Sequence, residues 1–257
     1  MLSIGQASAG YYINLAKDDY YHKGTEPAGL WYGRGAEQLG LSGRVDREDF
    51  LTLCEGFNPK EQDEKLVQNA GKENRRAGWD LTFSAPKTVS ALWATADEET
   101  RQRISAAHYS AVMNTLDYLQ EHYGFTRVGQ SGREVEKTDK LFFSLFEHST
   151  SREQDPQLHI HAVLVNVGIN GRDETKTLEV NRIFAAKLEM GALYKAELAY
   201  QLRQELGLEI ERAKKGAFEI TGDFKGLETE WSKRRAEIKR RWRKKERKEL
   251  SELLTSR

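Results

Sequence analysis

Three histidines define the first chemistry this chain offers. His148 precedes His159-Ile160-His161 in the stretch LFFSLFEHSTSREQDPQLHIHAVLVNV. Both flanks have the composition of strands, one rich in Phe and the other in Val and Ile, and the polar STSREQDPQ between them reads as the turn of a hairpin. Side chains two apart on a strand share a face, so His159 and His161 project together, and the hairpin returns His148 beside them. Three converging imidazoles make half of an octahedral metal site or three-quarters of a tetrahedral one, with open positions for substrate or water. A His-X-His pair alone is often two polar positions on a solvated face. A third histidine at hairpin distance, in a chain with only six, favours the metal. His22, His108 and His122 are scattered, and the last two fall in a predicted helix and read as structural.

A three-imidazole site without a carboxylate leaves the full charge of a divalent ion facing the substrate. That suits a phosphodiester, whose oxygens the ion polarises and whose developing charge it neutralises. The nucleophile is then either a metal-bound hydroxide, giving a simple hydrolase, or a tyrosine. The doubled pairs Tyr11-Tyr12 and Tyr20-Tyr21 supply the second choice. A phenol with a pKa near ~10 needs a cation or base beside it to attack at neutral pH. Its attack on a DNA phosphate exchanges one phosphodiester for another, so the cut can be resealed without ATP.

These residues need a frame. MLSI reads as a short edge strand, and the segment after it, carrying both Tyr-Tyr pairs, as helical in its first part. Residues 32–50 are Gly-rich and then helical, with Ser42 or Asp46 available as caps. The charged stretch from Lys60 to Ala77 reads as a mobile loop over one face. A strand is predicted over Trp79–Phe83, then a turn at Ala85-Pro86 and a helix over 86–94 with Pro in its first turn. The open amides at the start of that helix, beside Lys87, form an anion site. Asp97–Tyr123 is the clearest helix: acidic residues open it, and a stripe of Ile104, Ala107, Ala111 or Val112, Leu116 and Leu119 runs along it to Gly124. A second long helix is predicted from Asn181 to a stop at Gly207, then a hairpin turning at Lys215-Gly216. Interspersed hairpins and helices indicate an α+β fold with a mainly antiparallel sheet.

With 257 residues the chain can bury a substantial core, as one large domain or one domain with an appendage. It has no apolar run of 18 residues and no secretory signal pattern. The one cysteine, Cys54, suits a reducing compartment. No repeat is present, and no GxxxxGK[ST] motif suggests an NTP-driven motor. Formal net charge is zero, yet Trp231–Lys248 holds eleven Lys/Arg against two Glu, a local net of +9 that leaves −9 on the remainder. Trp231, Ile238 and Trp242 recur at spacings of seven and four, so this segment reads as an amphipathic basic helix able to grip nucleic acid. The plain alternative is a solvated helix leading to a further domain.

Taken together, HSTSREQDPQLHIHAVLVN, WDLTFSAPKTVS, WYGRGAEQLGLSG and the double Tyr-Tyr arrangement resemble the relaxase domain of the MobF family. These are conjugative DNA-nicking enzymes of the TrwC/TraI type, within the HUH endonucleases. The motifs run in order from Tyr11 to Asn166, and GALYKAELAYQLRQELG extends the similarity to about residue 220. The resemblance implies a five-stranded antiparallel palm covered by helices over residues 1–225, with basic C-terminal helical fingers or the start of a linker over 226–257. It implies Tyr11 as the nicking nucleophile, Tyr12 as its neighbour and Tyr20 as the tyrosine of a second strand transfer. It implies His148, His159 and His161 as ligands of one divalent metal, Mg or Mn before Zn or Ni. Asp80 matches a catalytic-site aspartate that either accepts the tyrosine proton or orients an imidazole. Arg76, Lys87 and Arg152 fall in matching segments as candidate phosphate contacts, each also readable as an ordinary surface cation. The expected partners are single-stranded or hairpin DNA at an origin of transfer, relaxosome accessory proteins and a coupling protein, in the bacterial cytoplasm. The alternatives are a rolling-circle initiator or transposase nuclease of the same chemistry, a metal-stabilised DNA-binding module without cleavage, and a hydroxide-using hydrolase.

Overall fold

The computed structural model describes residues 1–7, 29–61, 63–151, 155–213 and 217–222. Its centre is a long hairpin of β6 (Lys140–Thr150) and β7 (Pro156–Ile169). β3 (Gly78–Ser84) pairs with the other edge of β7, and β1 (Leu2–Ala7) with β3; on the far side β2 (Leu30–Tyr32) pairs with β6. The order β1-β3-β7-β6-β2 is antiparallel throughout, and the short β8 (Thr175–Lys176) adds to the end of β7. The expected α+β palm on a five-stranded antiparallel path is present. MLSI proves to be the start of an edge strand that continues to Ala7.

Period-two alternation divides the sheet into two cores. Trp79, Leu81 and Phe83 of β3, Leu141, Phe143 and Leu145 of β6, and Leu158, Ile160, Ala162 and Leu164 of β7 face one side. There they meet α4 (Glu98–Tyr123) and α6 (Lys187–Leu206). Every position of the predicted α4 stripe is buried, Ile104, Ala107, Ala111, Val112, Leu116 and Leu119 alike. Asp97 caps this helix by accepting from the Thr100 amide at 2.8 Å, and Gly207 ends α6 at φ 65°. On the opposite face Val163, Val165, Val167 and Ile169 of β7 pack with Trp31, Phe50, Leu53 and Phe142 in a second core. That core is covered by α1 (Arg34–Gln38), by α2 (Arg47–Glu55), and by the loop that follows α2.

Several expectations need correction. The Lys60–Ala77 loop is not a loose cover: Leu66, Val67 and Ala70 are buried in the second core. Arg75 pins this loop, donating to the Cys54 carbonyl at 3.0 Å and the Asn166 carbonyl at 3.1 Å. Asp46, not Ser42, caps α2, accepting from the Glu48 and Asp49 amides. Pro86 is the N-cap of α3 (Lys87–Thr95) and lies outside its first turn. The helix predicted from Asn181 is two helices, α5 (Asn181–Ala185) and α6, separated at Ala186 with ψ −1°. The bend keeps Ile183, Ala186 and Met190 in the core while Arg182 lies 4.1 Å over the Phe125 ring. The sequence reading passed over a hairpin of β4 (Phe125–Val128) and β5 (Glu134–Lys137) between α4 and β6. The predicted last hairpin is β9 (Ile210–Arg212) with β10 (Phe218–Ile220). The helix expected to carry the tyrosine pairs, the Lys215-Gly216 turn and the basic segment 226–257 lie outside the described residues. Among the described residues no helix is long and apolar enough to cross a membrane.

Candidate metal centre

The three histidines meet because of strand register. His148 lies directly across from His159 in the β6–β7 ladder, and His161 follows two residues along the same face of β7. They continue the row begun by Ile169, Val167, Val165 and Val163, beyond the point where the second core ends. The ring centres stand 5.4 Å apart for His148–His159, 5.2 Å for His148–His161 and 5.0 Å for His159–His161. Imidazoles sharing one ion at about 2.1 Å from each nitrogen have ring centres roughly 5 Å apart, so the spacing fits a common metal. Among the described residues no set of His, Cys, Asp or Glu side chains is already aligned on a single metal position.

The outward nitrogens are held. His161 Nδ1 lies 3.0 Å and 2.9 Å from the two oxygens of Asp80, on β3. Both side chains are largely sheltered, at 13% and 15% exposure, so the contact is little screened by water. Thr82 Oγ1 donates to Asp80 Oδ2 at 3.1 Å and fixes the carboxylate. His159 Nδ1 lies 2.7 Å from the Gln157 carbonyl. A carbonyl only accepts, so Nδ1 of His159 carries its proton and Nε2 keeps the lone pair a metal needs. Metal-binding histidines are ordinarily held in this way, with the other ring N–H donated to a carboxylate or a carbonyl.

The other sequence candidates separate. Tyr11, Tyr12, Tyr20 and Arg152 lie outside the described residues. Arg76 sits over the Trp79 ring, 5.9 Å from its centre, and its carbonyl accepts from Asn166 Nδ2 at 3.1 Å. Lys87 Nζ donates to the Pro156 carbonyl at 3.0 Å and so ties α3 to the start of β7. His108 is buried against Tyr194, ring nitrogen to hydroxyl 2.9 Å, and His122 stacks on Tyr118 with ring centres 4.2 Å apart. Neither joins the cluster, as their helical setting suggested. Burial pushes the Cys54 thiol up to about 12, which leaves it unreactive. Sequence reasoning missed Thr82 and the Gln157 carbonyl. Asp80-Leu81-Thr82 on a strand places both polar groups on one face, a signal that was available; a backbone carbonyl leaves none.

Residues 5–255 match the family model described as TrwC relaxase. The chain is 40% identical over 236 residues to the multifunctional conjugation protein TraI of Escherichia coli strain K12, covering 86% of this chain and 13% of that protein. A second Escherichia coli TraI is 38% identical over 226 residues, 84% of this chain and 12% of its own length. The chain thus spans about an eighth of the curated relatives it matches. Among solved structures, the metal-bound complex of conjugative relaxase TrwC with oriT DNA aligns with a TM-score of 0.80 at 35% identity, over 95% of this chain and 84% of that one. TrwC complexed with a 27-mer comprising the recognition hairpin and the cleavage site gives 0.79 at 34% identity, over 95% and 83%.

Proposed function

The chain belongs to the TrwC relaxase family, and on that premise we propose that it is a site- and strand-specific single-stranded DNA endonuclease and strand transferase that opens an origin of transfer in conjugation. The observation that carries this reading is the cluster of three imidazoles at common-ion spacing, two of them with Nδ1 held from outside. His148, His159 and His161 would hold one divalent cation. When bound there, the ion supplies positive charge that polarises the scissile phosphate and neutralises the charge that develops on it. Of the Mg or Mn expected first, Mn is the better match, since Mg prefers oxygen ligands; Zn and Ni, which suit imidazole, come next.

The phenolic oxygen of Tyr11 attacks phosphorus, losing its proton. The bond from phosphorus to the 3′ oxygen breaks, leaving a 3′-hydroxyl on one side of the nick and a 5′-phosphotyrosyl link on the other. Tyr12 flanks the nucleophile, and Tyr20 serves a second strand transfer. Asp80 orients His161, a role its contact with Nδ1 supports over proton acceptance. Arg76, Lys87 and Arg152 contact phosphates, and residues 226–257 form the basic fingers beyond the palm of residues 1–225. The DNA is a single-stranded or hairpin origin, engaged with accessory proteins and a coupling protein in the bacterial cytoplasm.

The test is covalent capture. Labelled single strands incubated with the protein and Mn should give a band that stays attached under denaturing conditions. Tyr11→Phe removes only a hydroxyl, so DNA binding should persist while that band disappears. Normal attachment by Tyr11→Phe together with loss in Tyr12→Phe would reassign the nucleophile. Nicking without attachment in every tyrosine variant would establish a hydrolytic mechanism instead.

A further inference from the structure

Ser90 lies on the opposite side of β7 from the histidines, yet it is connected to one of them through a single peptide group. It is buried in the second turn of α3, at 1% exposure. Its Oγ accepts from the Leu158 amide at 3.1 Å and donates to the Pro86 carbonyl at 3.3 Å. The Leu158 N–H belongs to the same planar peptide as the Gln157 C=O, the group that accepts from His159 Nδ1 at 2.7 Å. Donation therefore runs in one direction, from the imidazole to the Gln157 carbonyl, from the Leu158 amide to the Ser90 hydroxyl, and from that hydroxyl to Pro86. Bonds aligned in this way polarise one another, and fixing the amide end of a rigid peptide fixes its carbonyl end. The flanking peptides are tied as well: Lys87 holds the Pro156 carbonyl, and the Ala85 amide donates to the Leu158 carbonyl at 3.0 Å.

We propose that Ser90 is a positioning residue for the metal ligand His159, acting through the Gln157–Leu158 peptide to keep the proton on Nδ1 and the lone pair on Nε2. The inference rests on the reading of His159 as a ligand and adds to it a residue on another element that sets the ligand's tautomer. It also gives Lys87 a task in holding the ligand strand, separate from any phosphate.

Ser90→Ala removes the hydroxyl with little change in volume and favours the helix, so the fold should survive. In metal-free protein at mildly alkaline pH, long-range proton–nitrogen NMR of labelled histidine should show His159 as the Nδ1–H tautomer in the parent. In Ser90→Ala it should become a mixture. His161, held separately by Asp80, should stay unchanged and serves as the internal control. Mn affinity measured by calorimetry should fall about fivefold, less than the tenfold or more typical when a ligand's direct partner is lost. Ser90→Thr, which retains a hydroxyl, should restore both readouts. An unchanged His159 tautomer and unchanged Mn affinity in a folded Ser90→Ala protein would overturn the proposal and leave Ser90 as packing alone. A His159→Ala variant with full Mn affinity would overturn the ligand reading itself, and this inference with it; the tautomer measurement separates the two failures, because it needs neither metal nor DNA.

Discussion

His108 shows how a histidine behaves when a helix rather than a strand pair positions it. It is fully enclosed beneath α4, bonded to Tyr194 of α6, whose ring packs edge-on to Phe83 of β3 at 5.2 Å. Burial, the largest cause, pushes its pKa from 6.5 down to about 3. The folded protein thus keeps this ring neutral where the unfolded chain would protonate it. Its contribution is complete above pH 6.5 and declines as pH falls toward 3, by about 1.4 kcal/mol per unit. His108→Gln removes the titration while leaving a polar group for Tyr194. Urea unfolding followed between pH 6.5 and about pH 5 should therefore show a shallower loss of stability in the variant than in the parent. Parallel pH slopes for the two proteins would mean that His108 is not held neutral by burial. The cluster histidines differ in setting: they stand past the end of the second core, and His159 and His161 have a carbonyl and a carboxylate partner at Nδ1.

At the scale of elements, the approach of β3 to β7 controls the centre, because Asp80 reaches His161 only across that pairing. Gly78 opens β3 opposite Val165, two residues before Asp80. A methyl group there would stand 2.2 Å from the Leu164 carbonyl oxygen, and backbone cannot swing aside as a side chain can. Gly78→Ala should force the strands apart locally and destabilise the protein by about 1–3 kcal/mol, read from the urea midpoint. It should also weaken metal binding, since the displaced strand carries Asp80. A midpoint equal to the parent's would show that β3 has slack at this position. α3 is the complementary brace: through Lys87 and Ser90 it grips the first residues of β7, so the two imidazoles of the His-X-His pair are held from different elements.

For the whole molecule, charge is distributed unevenly, with +9 in residues 231–248 balanced by −9 elsewhere. If the basic segment closes on single-stranded DNA, each phosphate it neutralises adds about −0.7 to the slope of log K against log salt. Removing residues 228–257 should weaken single-strand binding and flatten that slope, while the centre on the β6–β7 hairpin still takes up metal. Equal affinity and equal slope in the shortened protein would make the segment a linker with no DNA contact.

Local pattern was enough to place the histidines. The spacing of His159 and His161 assigns them one face of a strand, and the polar stretch after His148 turns the chain back, so their meeting was legible from about fifteen residues. The α4 stripe, its acidic start and the Gly207 stop were legible for the same reason, each being decided within a turn or two of its own residues. What lay beyond local pattern was everything joining distant segments. Asp80 stands 81 residues from His161, and their contact depends on the β3–β7 register. Lys87 bonds a carbonyl 69 residues away and Ser90 an amide 68 residues away, links that nothing in their local sequence signals. The break at Ala186 likewise serves burial of Ile183 and Met190, which helix propensity does not register. Secondary structure and facing follow from short-range sterics and periodicity, whereas register and long-range hydrogen bonds follow from summed burial over the whole sheet, and that sum exists only once the chain has folded.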